Sequence, residues 1–139
     1  MDLLRRENFF SNEPLEKNAA YSQAVKIGDM VFIGGTAATN ARGDVQGGAD
    51  PYRQTKIILQ KIEQLLQRIG TNIRNVIRVR MHLTDIGNRR HCLRAYSEYF
   101  RDIKPVITMA EVKALARPDH LVEIEADAVI GSYLTSRLT

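Results

Sequence analysis

Two segments that lie far apart in the chain alternate apolar and polar side chains with a period of two. In the first, residues 76–84, the apolar residues are Ile77, Val79, Met81 and Leu83, and the polar ones are Arg78, Arg80, His82 and Thr84. In the second, residues 121–130, the apolar residues are Ile124, Ala126 and Ala128, and the acidic ones are Glu123, Glu125 and Asp127. This period predicts β-strands with one face on a core, so the chain must build a sheet.

The polar faces of these two strands carry opposite charges. If the strands are neighbours, each cross-strand pair of opposite charges contributes roughly 0.2 to 1 kcal/mol. The two rows either face water or pack against neighbouring subunits, where desolvated charges must be paired and clefts can hold small ligands. The sequence leaves both interpretations open.

Two helices, a hairpin and a further strand complete the predicted secondary structure. Apolar residues recur at steps of three and four between Asp50, a possible N-cap, and Gly70, the stop, with Pro51 at the first helical position. A second helix is predicted over residues 89–100, with Cys92, Leu93, Tyr96 and Phe100 on one side. Strands at residues 23–27 and 30–33 flank Gly28-Asp29, which suits a type II′ turn, and residues 106–112 are rich in β-formers.

The order strand, strand, helix, strand, helix, strand, strand indicates an α+β class, with the helices on one face of a mixed sheet. The chain has 139 residues and shows no internal repeat or linker, so residues 1–139 are predicted to form one domain. A domain of this size leaves apolar surface unburied, which predicts an oligomer interface beside the core.

Composition restricts the partners and the compartment. The 20 Lys and Arg residues against 16 Asp and Glu give a formal net charge of +4, which mildly favours anionic partners without identifying nucleic acid. The single cysteine, Cys92, cannot form an internal disulfide, so a core position and a reducing cytoplasm are expected. The sequence has no apolar run of roughly 20 residues and no apolar stretch after Arg5 and Arg6, so neither a membrane anchor nor export is expected.

The sequence lacks the motifs that several kinds of binding or catalytic site require. Gly34-Gly35 is too short for a phosphate-binding loop, and no Lys-Ser/Thr follows it. The three histidines, His82, His91 and His120, lie in separate elements without metal-ligand spacing, so no metal or other cofactor is expected. Aromatic and basic residues do not alternate along any predicted strand, which argues against stacking on single-stranded nucleic acid. Carboxylates remain as acid–base candidates, and Glu123 is the foremost of them.

An ordered set of short motifs runs through most of the chain after about Asn18. The motifs are Ala20-Tyr21-Ser22-Gln23, the Gly28-Asp29 hairpin, Phe32-Ile33-Gly34-Gly35, Leu83-Thr84-Asp85, Tyr96 with Phe100, Pro105, and Leu121-Val122-Glu123-Ile124-Glu125-Ala126. In this order and spacing they resemble the RidA/YjgF family, also called endoribonuclease L-PSP-like.

The resemblance implies a chorismate-mutase-like α+β fold, with a mixed six-stranded sheet and two helices on one face. It also implies a homotrimer, in which the sheets form a barrel-like core and small molecules bind in clefts between subunits. Active family members hydrolyse enamines and imines such as 2-aminoacrylate to a keto acid and ammonia, without a metal or cofactor. An arginine there binds the substrate carboxylate through paired hydrogen bonds, and a glutamate positions the attacking water.

Some of the family's site residues are present at the matching positions of this sequence. Tyr21 stands where the family has its cleft tyrosine and Glu123 where it has the water-orienting glutamate, so the resemblance implies that both are catalytic. Gly34, Gly35 and Thr36 stand beside or in place of the family's Ser-Gly-Gln segment, and they are expected to contact substrate.

The family's arginine is replaced by Ile107, which is expected to line the substrate site. Hydrogen bonds to charged groups contribute roughly 1.5 to 3 kcal/mol, and an aliphatic side chain supplies none. A substrate carboxylate is therefore expected to bind poorly at this position. The sequence does not show whether Arg80 or Arg117 takes over the role.

Three functional hypotheses follow. The first is a small-molecule-binding protein of the RidA type, a deaminase and thus a hydrolase if it is an enzyme, which acts on an uncharged or differently anchored substrate. The second is an endoribonuclease or RNA-binding protein, whose affinity for RNA should fall steeply with salt. The third is a chaperone-like interaction protein, which should expose an apolar patch away from the clefts.

Overall fold

From Ala24 onwards, helices and strands follow the order that the sequence predicts. The computed structural model describes residues 3–11 and 13–133. Its strands and helices are β1 (Arg6–Phe9), α1 (Pro14–Ala19), β2 (Ala24–Ile27), β3 (Met30–Ala37), α2 (Pro51–Ile69), β4 (Val76–Leu83), α3 (Arg89–Phe100), β5 (Val106–Glu111) and β6 (Val122–Val129). The residue patterns did not predict β1 or α1, because segments of four and six residues are too short to show a clear period.

The strands form one mixed sheet in the order β1-β2-β3-β6-β4-β5. Strands β4 and β5 run parallel, and the other neighbours run antiparallel. Helices α2 and α3 pack together against the apolar face of the sheet and enclose the core. The α+β class and the six-stranded mixed sheet are thereby confirmed, with α1 as a third helix beyond the two expected.

The ends of α2 are set by the residues predicted to cap it. The Asp50 carboxylate accepts hydrogen bonds from the N–H groups of Tyr52 and Arg53, at 3.0 and 3.3 Å. Gly70 ends the helix with a φ of 100°, a left-handed conformation that favours glycine. The sequence prediction for this helix is confirmed at both ends.

The predicted hairpin joins β2 to β3. Gly28 has a φ of 57°, and Asp29 is not among the residues with positive φ. A type II′ turn requires positive φ at the first central position alone, whereas type I′ requires it at both, so these φ angles agree with the predicted type II′ turn and exclude type I′.

Two predicted core positions are wrong. Ile77 is 44% exposed, because a bulge in β4 inserts one residue between Val76 and Arg78 and shifts the alternation. Leu93 is 39% exposed. The buried side of α3 instead includes Ala95, which follows Cys92 by three residues and therefore shares its face, whereas Leu93 is turned by about 100°.

The basic and acidic rows do lie opposite each other. Arg78, Arg80 and His82 of β4 pair with Asp127, Glu125 and Glu123 of β6, respectively. The Arg80 guanidinium lies 3.4 Å from the Asp127 carboxylate and 3.9 Å from that of Glu125. These side chains are partly exposed, so each pair adds little stability.

Within the described ranges, no helix combines the length and the apolar character needed to cross a membrane.

Candidate functional site

An open cavity of about 410 Å³ lies where β3 and β6 meet the loops that follow α1, β3 and β5. Its volume falls in the range of small-molecule sites. The polar side chains on its wall belong to Glu123, Tyr21, Arg117, Arg42, His120, Glu13 and Thr39. Tyr21, Gly35 and Glu123, which the sequence assigns to one site, therefore share a wall.

The carboxylate of Glu123 lies directly over Gly35. A Cβ atom placed on Gly35 would lie 2.5 Å from the nearer Glu123 carboxylate oxygen and 2.8 Å from the carboxyl carbon. Real Cβ atoms do not approach so closely, so only glycine permits this position of the carboxylate. The chain thus holds a carboxylate against exposed backbone at the cavity wall.

A bulge in β3 produces this arrangement. Ile33 pairs with Ala126 and Thr36 with Ile124, so that Gly34 and Gly35 together oppose the single residue between those two positions of β6. The bulge changes the phase of the strand and turns Thr36 toward the interior, where it is 4% exposed and its hydroxyl donates to the Gly34 carbonyl. The Thr36 side chain is therefore not part of the cavity wall.

Replacing Gly35 with Ala is expected to displace the Glu123 carboxylate, and any reaction that this carboxylate assists should slow about 10- to 100-fold, because small misplacements of reacting groups are costly. The fold should persist, since a flexible side-chain end must move and no backbone must. Steady-state kinetics and thermal melting measure the two effects. The matched control is Gly34→Ala, whose Cβ would meet only the Gln23 carbonyl oxygen at 3.6 Å. Equal activity losses in both variants would contradict this account.

The position of Tyr21 depends on how α1 ends. Ala20 has a φ of 60°, and the N–H of Tyr21 donates to the Glu16 carbonyl at 3.1 Å. Burial raises the pKa of the Tyr21 phenol, and the carboxylates of Glu13 and Glu16 raise it further. The phenol is therefore protonated at neutral pH and can donate a hydrogen bond.

Ile107 does not reach this cavity within one protomer. It pairs with Val79 in β4, which is fully buried on the helix-covered side of the sheet. Glu123 lies on the other side, since its neighbour Ile124 is buried in the core. Contact between Ile107 and Glu123 would thus require a second copy of the chain, and the role assigned to Ile107 stays a prediction.

The two arginines that the sequence leaves open lie in different places. Arg117 lines the cavity, and its Nη1 donates to the Gly43 carbonyl at 2.8 Å. Arg80 faces Asp127 and Glu125 and lines a separate groove together with Gly34. Of these two guanidinium groups, only that of Arg117 shares the cavity with Glu123.

Sequence reasoning missed Arg42 and His120 as members of this site. His120 is 4% exposed, and burial lowers the pKa of its imidazole, as does the nearby charge of Arg117. Both residues lie in irregular segments without periodicity, so the residue pattern gives no sign of where their side chains point. Within residues 3–11 and 13–133, no cluster of His, Cys, Asp and Glu is arranged to hold a metal ion.

The cavity and the fold can be compared with known proteins. A family model described as endoribonuclease L-PSP matches residues 11–130. A RutC family protein of Pyrococcus abyssi is 31% identical over 126 residues, which are 90% of this chain and 98% of the relative. The 3-aminoacrylate deaminase RutC of Acinetobacter baylyi is 28% identical, over 79% of this chain and 86% of the relative.

Solved structures agree with the fold. The crystal structure of a Mycobacterium tuberculosis member of the YjgF/YER057c/UK114 family superposes with a TM-score of 0.82 and 36% identity, covering 91% of this chain and all of the other. A Pseudomonas aeruginosa protein of unknown function gives a TM-score of 0.84 at 26% identity, over 98% of this chain and 100% of the other. The likeness therefore extends over nearly the whole length of both partners.

Proposed function

The chain belongs to the endoribonuclease L-PSP family, also called RidA/YjgF, and we propose that it hydrolyses a small enamine or imine in the cavity beside Glu123. The observation that carries the proposal is the Glu123 carboxylate held over Gly35, next to Tyr21 and Arg117. One relative is named as a 3-aminoacrylate deaminase, and its name supports the reaction class.

The proposed reaction needs only groups of this cavity and water. For 2-aminoacrylate, water adds to C2 of the imine tautomer, the C–N bond breaks, and pyruvate and ammonia leave. Glu123 accepts a proton from the attacking water and passes it to the departing nitrogen. Tyr21 donates a hydrogen bond to the substrate from its protonated phenol.

Arg117 is the proposed anchor for a substrate carboxylate in place of Ile107. A guanidinium has five N–H donors, and the bond to Gly43 uses one of them. Its planar fork can therefore still pair with a carboxylate through two parallel hydrogen bonds. The proposed carboxylate-binding arginine thus lies in the turn before β6, whereas the position of the family's arginine, occupied here by Ile107, lies in β5.

Assembly into a homotrimer is a second part of the proposal. Exposed apolar side chains support self-association: Met30 and Phe32 in the inner strand β3, and Val106 and Ile107 in the edge strand β5. Such an assembly is also the one route by which Ile107 could approach a cavity, namely that of another copy. Sedimentation equilibrium measures the assembly state, and a monomer at working concentration would refute this part alone.

The test is hydrolysis of 2-aminoacrylate and of 3-aminoacrylate, each generated in situ and followed by ammonia release. Wild-type protein should accelerate release from at least one of them, and Arg117→Met should lower kcat/KM roughly 10- to 100-fold, since one charged hydrogen-bonding partner is lost. The matched control is Arg80→Met, which removes a guanidinium that lies outside the cavity.

Three outcomes contradict parts of this proposal. If neither substrate reacts faster than in buffer, the deaminase function is wrong. If Arg80→Met lowers kcat/KM as much as Arg117→Met, the assignment of the anchor is wrong. If the protein instead cleaves an RNA oligonucleotide through the same Glu123, RNA replaces the small molecule as substrate.

A further inference from the structure

One buried histidine on the cavity wall has no hydrogen-bond partner among the residues that the structure describes. Nδ1 and Nε2 of His120 are both buried, and no other described residue bonds to either. Buried polar groups in folded proteins are almost always hydrogen-bonded, so a pair of free ring nitrogens needs an explanation. The ring belongs to the same cavity wall as Glu123 and Arg117, so a molecule bound in the cavity is a candidate partner.

A buried amide holds the backbone on both sides of this ring. The Gln54 side chain, fully buried in α2, donates to the Asp119 carbonyl at 2.9 Å and accepts from the Leu121 N–H at 3.0 Å. The N–H of His120 donates to the Arg117 carbonyl at 3.1 Å, which closes the turn. His120 therefore has a fixed place, and its lack of partners does not come from a loose loop.

The charges around the ring favour its neutral form. Burial is the largest cause that lowers the pKa of His120, and the positive charges of Arg117 and Lys61 lower it further. The negative charges of Asp119 and Glu13 raise it. The net direction is downward, so the imidazole is neutral at pH 7. A neutral imidazole offers one N–H donor and one acceptor nitrogen to a partner.

Arg117 and His120 close the two ends of one turn and both line the cavity. The cavity wall therefore combines the guanidinium of Arg117 with a hydrogen-bond acceptor, the unprotonated nitrogen of the His120 imidazole. The complementary small molecule carries a carboxylate and, one or two carbon atoms away, a nitrogen with N–H groups. An enamine-bearing carboxylic acid has this arrangement.

We infer that His120 is a further substrate-binding residue, which accepts a hydrogen bond from the nitrogen of the substrate while Arg117 binds its carboxylate. The inference rests on the proposed function. It adds that His120 selects substrates that carry an amino group at the carbon where water adds. His120 is a positioning residue in this role, because Glu123 handles the transferred proton.

The test compares His120→Phe, which keeps the ring volume without nitrogens, with His120→Asn and His120→Gln, which each restore a side-chain acceptor and donor at a different distance from the backbone. His120→Phe should raise KM for the aminoacrylate substrate about tenfold, the effect of one lost hydrogen bond. Its melting temperature should stay equal or rise, because the variant buries no unpaired nitrogen. One of the two amide variants should recover part of the loss. An unchanged KM in His120→Phe would overturn the inference.

A binding experiment works even if the chain proves inactive. Protein with ¹⁵N-labelled histidine is titrated with alanine and, separately, with propionate, which differ only in the amino group. The His120 ring resonances, assigned by their loss in His120→Phe, should shift with alanine and not with propionate. If wild-type protein shows no turnover but this shift appears, the proposed reaction fails and the binding role stands. Equal responses to both probes, or no response, would overturn the binding role.

Discussion

Replacing Glu123 with Gln is expected to lower kcat/KM for aminoacrylate hydrolysis by roughly 10²- to 10⁴-fold, the usual contribution of a positioned general base. Glutamine keeps the shape of the side chain over Gly35 but cannot accept a proton from water. Both kcat and kcat/KM should fall, because the lost interaction is made in the transition state. Steady-state kinetics of ammonia release measures the effect.

The matched control is Glu125→Gln, two residues further along β6 on the same face of the sheet. Glu125 faces Arg80 and His82 at 3.9 and 3.7 Å and does not line the Glu123 cavity. Its removal should change turnover less than about threefold and stability by less than about 1 kcal/mol, as for other partly exposed ion pairs. Similar activity losses in both variants would show that the charge of the whole acidic row matters and that Glu123 has no special role.

Replacing Gln54 with Leu is expected to lower the free energy of unfolding by about 1.5 to 4.5 kcal/mol, because three hydrogen bonds are lost at roughly 0.5 to 1.5 kcal/mol each. Gln54 is fully buried, and its amide bonds to Gly48, Asp119 and Leu121. Urea unfolding measures the loss. Turnover below the melting transition should fall as well, since the turn that carries Arg117 loses its support.

The control for Gln54→Leu is Gln60→Leu in the same helix. Gln60 is exposed, so the same exchange of an amide for an aliphatic side chain should change stability by less than about 0.5 kcal/mol. If Gln54→Leu were as stable as Gln60→Leu, the hydrogen bonds of the Gln54 amide would contribute no net stability. The proposed support of the turn by the Gln54 amide would then be wrong.

The family could be identified from the sequence because its motifs keep their order along almost the entire chain. Among them, Gly35 and Glu123 are far apart in sequence yet meet at the cavity wall. The sequence assigned Ile107 to the same site on the family pattern. Within one protomer, however, the sheet separates Ile107 from Glu123, and the arginines that line the cavity are Arg42 and Arg117.

What the sequence by itself determined are the elements whose signals are local. The caps Asp50 and Gly70, the Gly28 turn and the alternation of β6 each depend on residues within a few positions of one another. Those features are set by backbone geometry and by the period of apolar side chains, so they can be read before any tertiary contact is known.

Only the tertiary structure decided which side chains surround the cavity. The bulges in β3 and β4 reversed the faces of Thr36 and Ile77, because sheet pairing outweighed strict alternation. His120 and Arg117 lie in an irregular turn whose position is fixed by Gln54, more than sixty residues earlier in the chain. Contacts over such separations leave no periodic trace in the sequence, which is why the positions of Arg117 and of the buried imidazole emerge only in the folded protein.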